Sequence, residues 1–233
     1  MRMRKKKNLI PRMERCSACL IKDPYAMAGT WRTLYPQARE LRLELGCGKG
    51  RFTAGSAAAE PDVLFIAVEK VPDAMVIAME RCMAEGLKNV FFVSADADQL
   101  PCFFRPGEVD RIYINFCDPW PTKRHAKRRL THGGFLKLYR QVLRDGAEIH
   151  FKTDNSGLFE FSVEEFPQFG FTLSEVTWNL HEHGPVGVMT DYEAKFYEQG
   201  LPIHRCVATM IPWEEPTTPP DTLSPLPTES TDN

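Results

Sequence analysis

The chain has 233 residues, 43% of them hydrophobic and 26% charged, with 29 Lys or Arg against 31 Asp or Glu and a formal net charge of -2. That composition suits one sizeable core in one main domain and excludes a uniformly basic nucleic-acid binder. The seven cysteines, at 16, 19, 47, 82, 102, 117 and 206, are odd in number and scattered, which fits a reduced cytosolic protein and excludes a disulfide framework.

Residues 1 to about 30 carry seven Lys or Arg within the first fifteen positions and show no sustained periodicity, so a mobile basic arm suited to phosphate contacts is expected. The arm lacks the apolar segment of a signal peptide and no apolar run approaches membrane-spanning length, which points to a cytoplasmic protein with no membrane partner. Cys16-Ser-Ala-Cys19 has no second pair at zinc-site spacing; no metal is expected, and the two thiols are read as incidental surface groups. The main domain is expected over 31–213.

Leu41-Arg-Leu-Glu-Leu45 alternates into Gly46-Cys-Gly-Lys-Gly50, a strand feeding a glycine loop, and 51–60 reads as the following helix. Gly46 and Gly48 let backbone approach a ligand closely at that helix N-terminus. Residues 63–69 form a second apolar strand ending in an acid, 72–85 a helix with Pro in its first turn, and 90–94 a third strand closing on Ala95-Asp96-Ala97-Asp98. Residues 110–116 are β-branched and aromatic, as in a buried parallel strand, which places Asp118 just past a carboxyl end, where open α/β sheets bind ligands. Pro119 and Pro121 fix the next turn and hold Trp120 exposed, a candidate flat wall for a nucleobase. Lys123 to Arg129 then supply five basic residues and a His.

A helix over 131–144, stopped near Gly146, leads to a fifth strand over 147–153 ending at Asp154, and a helix follows over 157–169. The rhythm then changes: 172–180 and 203–211 are strand-like, joined by a short helix from Thr190 to Gly200 with Thr190 as its candidate cap. Residues 214–233 hold five acids and no base among Pro, Ser and Thr, and are expected to form a disordered tail. Strands and helices alternating at this spacing predict a doubly wound, Rossmann-like α/β fold, its sheet mostly parallel with a C-terminal antiparallel strand.

A glycine loop with an acid about twenty residues later would also fit a dinucleotide. The other acids discriminate. Glu44, Glu69, Asp96 and Asp118 would make the carboxyl edge of the sheet strongly negative, which repels a pyrophosphate and attracts the sulfonium and ammonium groups of S-adenosyl-L-methionine. Glu69 is placed to accept ribose hydroxyls and Asp96 the adenine amino group. For any one strand-end acid a solvated or capping role is the simpler reading; for four in register it is not.

Glu44-Leu-Gly-Cys-Gly-Lys-Gly50, Glu69-Lys70, Asp96-Ala-Asp98, Asn115-Phe-Cys-Asp-Pro-Trp-Pro121, Lys123-Arg-His-Ala-Lys-Arg-Arg-Leu130, His150-Phe-Lys-Thr-Asp154 and Thr190-Asp-Tyr-Glu193 together resemble the bacterial tRNA (guanine-N7)-methyltransferases over roughly residues 30 to 211. The resemblance implies a class I methyltransferase fold with S-adenosyl-L-methionine held at positions matching Glu44, Glu69, Asp96 and Asp118. It implies a catalytic role for Asp118, and tRNA or guanine contacts at Thr122, Asp154, Thr190, Asp191, Tyr192 and Glu193. Lys123, Arg124, His125, Lys127, Arg128 and Arg129 are the expected RNA-binding residues. The family commonly carries Lys where this chain has Thr122, and the acidic tail lies outside its pattern. Monomer and homodimer both stay open. The alternatives are a methyltransferase for another RNA position and a catalytically inactive tRNA-binding protein.

Overall fold

Runs such as Val-Leu-Phe-Ile-Ala-Val, with all six side chains buried, can only be strands covered on both faces, and the chain builds its centre from them. The structure, a computed structural model, describes residues 6–215; the start of the basic arm and nearly all of the acidic tail lie outside the described residues. The strands are β1 (Leu20–Ile21), β2 (Glu40–Leu45), β3 (Val63–Val68), β4 (Val90–Val93), β5 (Val109–Asn115), β6 (Leu143–Thr153), β7 (Phe171–Thr177) and β8 (His204–Met210). They form one sheet in the order β1-β4-β3-β2-β5-β6-β8-β7. Only β8 runs against the rest, wedged between β6 and β7, as the sequence pattern predicts.

The helices are α1 (Leu9–Arg15), α2 (Arg51–Ala59), α3 (Pro72–Ala84), α4 (Leu100–Phe103), α5 (Gly133–Val142), α6 (Ser156–Gln168) and α7 (Asp191–Glu198). One core packs Phe52, Met75 and Met79 against Phe65 and Phe92; the other packs Trp31, Phe103, Leu136 and Phe166 against Leu43, Ile112 and Phe151. From β2 the chain winds outward through β3 and β4, then returns to lay β5 on the other side of β2. That reversal opens a crevice at the carboxyl ends of β2 and β5, the place where such sheets bind ligands. No helix among the described residues is long and apolar enough to cross a membrane.

Four local expectations are corrected. Residues 6–30 do not form a mobile arm: α1 lies on α3, where Arg12 Nε donates to Glu80 at 2.7 Å, and β1 extends the sheet beside β4. Cys16 and Cys19 are buried there, not surface thiols. The segment orders because its few apolar side chains find a distant partner surface, a tertiary effect without local periodicity. The helix α5 stops at Val142 and β6 starts at once, because buried Leu143 pairs with Val109 across a bulge; Gly146, with φ 70°, sits inside the strand and not at a helix end. Finally, β5 ends at Asn115. Phe116 turns out of the strand with φ 54°.

Candidate active site

Strand β2 delivers Glu44 to the sheet edge as a buried carboxylate. The Thr53 hydroxyl of α2 donates to it, and Asn115 Nδ2 of β5 donates to Oε1 at 3.2 Å. Burial raises its pKa to about 7, an effect opposed by those two hydrogen bonds and by the charge of Lys152. Glu69, just past β3 and 7% exposed, ties the glycine loop down: one oxygen accepts from the Gly48 N–H at 3.0 Å, the other from the Val71 N–H at 2.8 Å. Gly46 and Gly48 have φ 76° and 56°, and a Cβ on either would meet nothing within 4 Å. The loop is thus held from one side and open on the other. Asp96, past β4, accepts from the Ala97 N–H at 2.9 Å and lies 3.7 Å from Lys70 Nζ, an exposed pair of little energetic weight.

Beyond β5 the chain makes a strained turn. Phe116 and Trp120 both take left-handed φ values, 54° and 41°, a state that costs a bulky residue on the order of 1–3 kcal/mol. Between them Asp118 stands exposed, and no hydrogen bond from the described residues reaches its carboxylate. The turn is clamped from behind: Arg129 Nε donates to Pro119 O at 3.1 Å and its Nη2 to Trp120 O at 3.1 Å, while its guanidinium lies 4.4 Å over Phe161. Arg129 therefore belongs to the turn and not to the outward basic surface expected for it. Trp120 is half-buried rather than open; the Arg128 guanidinium covers its ring at 4.1 Å and His125 meets it edge-on at 5.8 Å. Thr122, Lys123, Arg124 and Lys127 are exposed, with the basic residues on a 3₁₀ segment, Lys123–Arg128.

The Thr190 to Glu193 motif divides by role. Thr190 and Glu193 form a capping box at α7: Thr190 Oγ1 accepts from the Glu193 N–H at 2.9 Å and Glu193 Oε2 from the Thr190 N–H at 3.1 Å. Glu193 is wholly buried, and its carboxylate also receives Lys152 Nζ at 2.7 Å and His181 Nε2 at 3.0 Å. Its expected substrate contact is corrected to an internal one, because every face of the carboxylate is taken up by the protein. Asp191 accepts from Arg81 of α3 at 3.3 Å, which ties α7 to the far side of the crevice. Tyr192 is 46% exposed; partial burial and the neighbouring Asp154 raise its hydroxyl pKa. Asp154 itself is half-exposed, directly before the α6 cap residue Asn155.

Four residues at this edge escape the sequence reading. Phe116 packs its ring 5.3 Å from that of Tyr192. Asn115 and Thr53 hold Glu44, and the buried Oδ1 of Asn115 has no partner among the described residues. Lys152 is buried beneath the segment 181–190, donating to Val188 O at 3.3 Å as well as to Glu193; burial lowers its pKa and Glu193 opposes that fall. The alternation in Glu148-Ile-His-Phe-Lys152 does place residues 148, 150 and 152 on one sheet face. A cleft of about 260 Å³ runs along that face between α2 and residues 180–188, lined by Phe52, Tyr113, His150 and Val188 and reaching Asn115 and Lys152.

A family model described as "Putative methyltransferase" matches residues 38–206. The chain is 45% identical over 194 residues, 83% of its length and 89% of the other's, to a tRNA (guanine-N(7)-)-methyltransferase of Geobacillus kaustophilus. The crystal structure of the 16S rRNA methyltransferase KamB superposes with a TM-score of 0.59 at 17% identity, covering 78% of this chain and 92% of that one. A 16S rRNA (adenine(1408)-N(1))-methyltransferase variant from Catenulisporales acidiphilia, solved with its cosubstrate SAM, gives 0.57 at 15% identity over 82% and 92%. At such identities the two structures speak for the shared fold.

Proposed function

Because this chain belongs to the tRNA (guanine-N7)-methyltransferase family, we propose that it methylates guanine N7 in tRNA, at a variable-loop guanosine, using S-adenosyl-L-methionine in the cytoplasm. One observation carries the reading: the crevice between β2 and β5 joins a glycine loop ringed by carboxylates to a rigid turn that presents Asp118, with exposed Lys123, Arg124 and Lys127 immediately beyond.

The residues fit the methyl donor. The open side of Gly46 and Gly48 leaves room for it, and Glu44, Glu69, Asp96 and Asp118 offer negative charge and acceptors for its ammonium, sulfonium, ribose and adenine. The unpartnered Asn115 Oδ1 is a further acceptor beside Glu44. When bound, S-adenosyl-L-methionine supplies a methyl group activated on a positively charged sulfur. Guanine N7 already carries an in-plane lone pair and no proton, so no residue need act as its base. What remains for the protein is positioning and charge. Asp118 and Asp154 are acceptors for guanine N1–H and N2–H, and their charge offsets the one that grows on the ring. Lys123, Arg124 and Lys127 would hold flanking phosphates; with Thr122 lacking a cation, Lys123 is the nearest substitute. Glu193 and Thr190 shape the α7 end from within.

The pKa of Glu44 makes donor binding depend on pH. In the free protein burial holds that pKa at about 7, whereas a cation bound alongside favours the ionised form. Binding should therefore release a proton in the pH range between the lowered bound-state pKa and about 7, and none well above it. Affinity should weaken by up to about tenfold per pH unit on the acid side. Calorimetry in buffers of different ionisation enthalpy should count close to one released proton near pH 6, and Glu44→Gln should abolish that release. No proton release at acid pH in the native protein would remove Glu44 from the donor site.

The experiment that tests the function is incubation with labelled S-adenosyl-L-methionine and total tRNA, with identification of the modified nucleoside. N7-methylguanosine supports it. A different methylated nucleoside would assign another position, and tRNA retention without methyl incorporation would indicate an inactive binder.

A further inference from the structure

We infer that Phe116 and Tyr192 form the surface on which the target guanine stacks, an inference that rests on the N7 methylation proposed above. Trp120, the aromatic that stands out in the sequence, is taken: Arg128 covers its ring at 4.1 Å and His125 meets it edge-on. Among the described residues, Phe116 and Tyr192 also bring aromatic rings to the site without a covering guanidinium, 5.3 Å apart and inclined at 57°, with Tyr192 46% exposed and Phe116 partly buried. Partly exposed aromatic surface beside two carboxylates is suited to a flat, hydrogen-bonding ligand.

The backbone is arranged to produce it. The Phe116 N–H still bonds to Lys152 O at 2.9 Å, as in the ladder between β5 and β6, yet φ 54° turns the residue out of the strand. A bulky side chain holds this conformation only where its surroundings enforce it, and such residues gather at sites of ligand contact. Tyr192 is positioned from the other side by the capped start of α7, by its packing on Phe196 at 4.5 Å and by Asp154 facing its hydroxyl. Because the rings are inclined, a base that stacks flat on one of them meets the other at an angle, in the neighbourhood of Asp118, two residues from Phe116, and of Asp154, which faces the Tyr192 hydroxyl.

Stacking also favours the reaction. The N7 lone pair forms the new bond to the methyl carbon while the carbon–sulfur bond breaks and its electron pair returns to sulfur. No proton moves, and the positive charge lost by the sulfonium appears on the guanine ring. A ring gaining positive charge over an aromatic face is held more tightly than a neutral one, so the interaction grows toward the transition state.

The test uses the full-length protein and a tRNA transcript. Phe116→Leu and Phe116→Gly should each slow single-turnover methyl transfer roughly tenfold to a hundredfold, the scale of a lost base–aromatic stack. Phe116→Tyr should restore it. Affinity for S-adenosyl-L-methionine should stay unchanged, and Phe116→Gly, freed of the left-handed strain, should melt no lower than the native protein. In parallel, tRNA carrying the fluorescent guanine analogue 6-methylisoxanthopterin at the target position should be quenched on binding native protein and not on binding Phe116→Leu. Native rates in Phe116→Leu, failure of Phe116→Tyr to rescue, or equal quenching by both proteins would overturn the stacking role. Absence of N7-methylguanosine with native protein would instead overturn the function itself, and the quenching arm would still report on stacking.

Discussion

Asp118→Ala should lower methyl transfer to tRNA by about a hundredfold or more, the scale found when a preorganised electrostatic group is removed from a transition state. The structure makes this residue costly to arrange. Phe116 and Trp120 are strained on either side of it, Pro119 and Pro121 lock the turn, and Arg129 clamps the carbonyls of Pro119 and Trp120 from behind. All of that leads to a carboxylate which no described residue satisfies. Asp118→Asn keeps the shape and loses the charge, so it should fall between the native enzyme and Asp118→Ala if hydrogen-bond acceptance carries part of the effect. Folding should be unaffected, since the side chain is exposed. Turnover of Asp118→Ala close to native would move the role to Asp154, the next carboxylate at the same edge.

The largest effect on stability should come from Lys152→Met. Its ammonium and the Glu193 carboxylate are both out of water, 2.7 Å apart, and together hold α7 and residues 181–190 against β6. Removing one partner leaves the other charge buried, which costs about 3–5 kcal/mol and should lower the melting temperature by roughly 10 °C or more. Pairing it with Glu193→Gln should recover a good part of that loss, because a neutral pair needs no compensating charge. Thermal unfolding followed by circular dichroism measures both. A Lys152→Met protein that melts with the native one would show that the pair is not what secures this side of the site.

The central sheet was legible because β3 and β4 are continuous apolar runs and β2 and β5 carry mostly buried apolar residues up to the sheet edge, as strands covered on both faces require. The four carboxylates could be placed at one edge from that pattern alone. What stayed hidden depends on contacts far along the chain. Trp31 is buried in the core against Phe104, with its Nε1–H satisfied by Phe103 O at 2.8 Å, and no local pattern announces partners so distant. Glu193 reads as an acid in a surface motif, yet the fold encloses it between Lys152 and His181, which come from two other segments. Arg128 and Arg129 look identical in a basic run; one stacks on Trp120 and the other clamps the turn because of the way residues 116 to 129 fold back on themselves. The left-handed Phe116 had no glycine or asparagine to betray it.

The most direct test is a tRNA whose target guanosine is replaced by 7-deazaguanosine, which exchanges the nucleophilic nitrogen for C–H and keeps the Watson-Crick edge. Incubated with the native protein and labelled S-adenosyl-L-methionine, it should bind like the unmodified tRNA and incorporate no methyl group, while the unmodified tRNA yields N7-methylguanosine. Methyl incorporation into the deaza tRNA at the native rate would contradict the account, because N7 could not then be the acceptor.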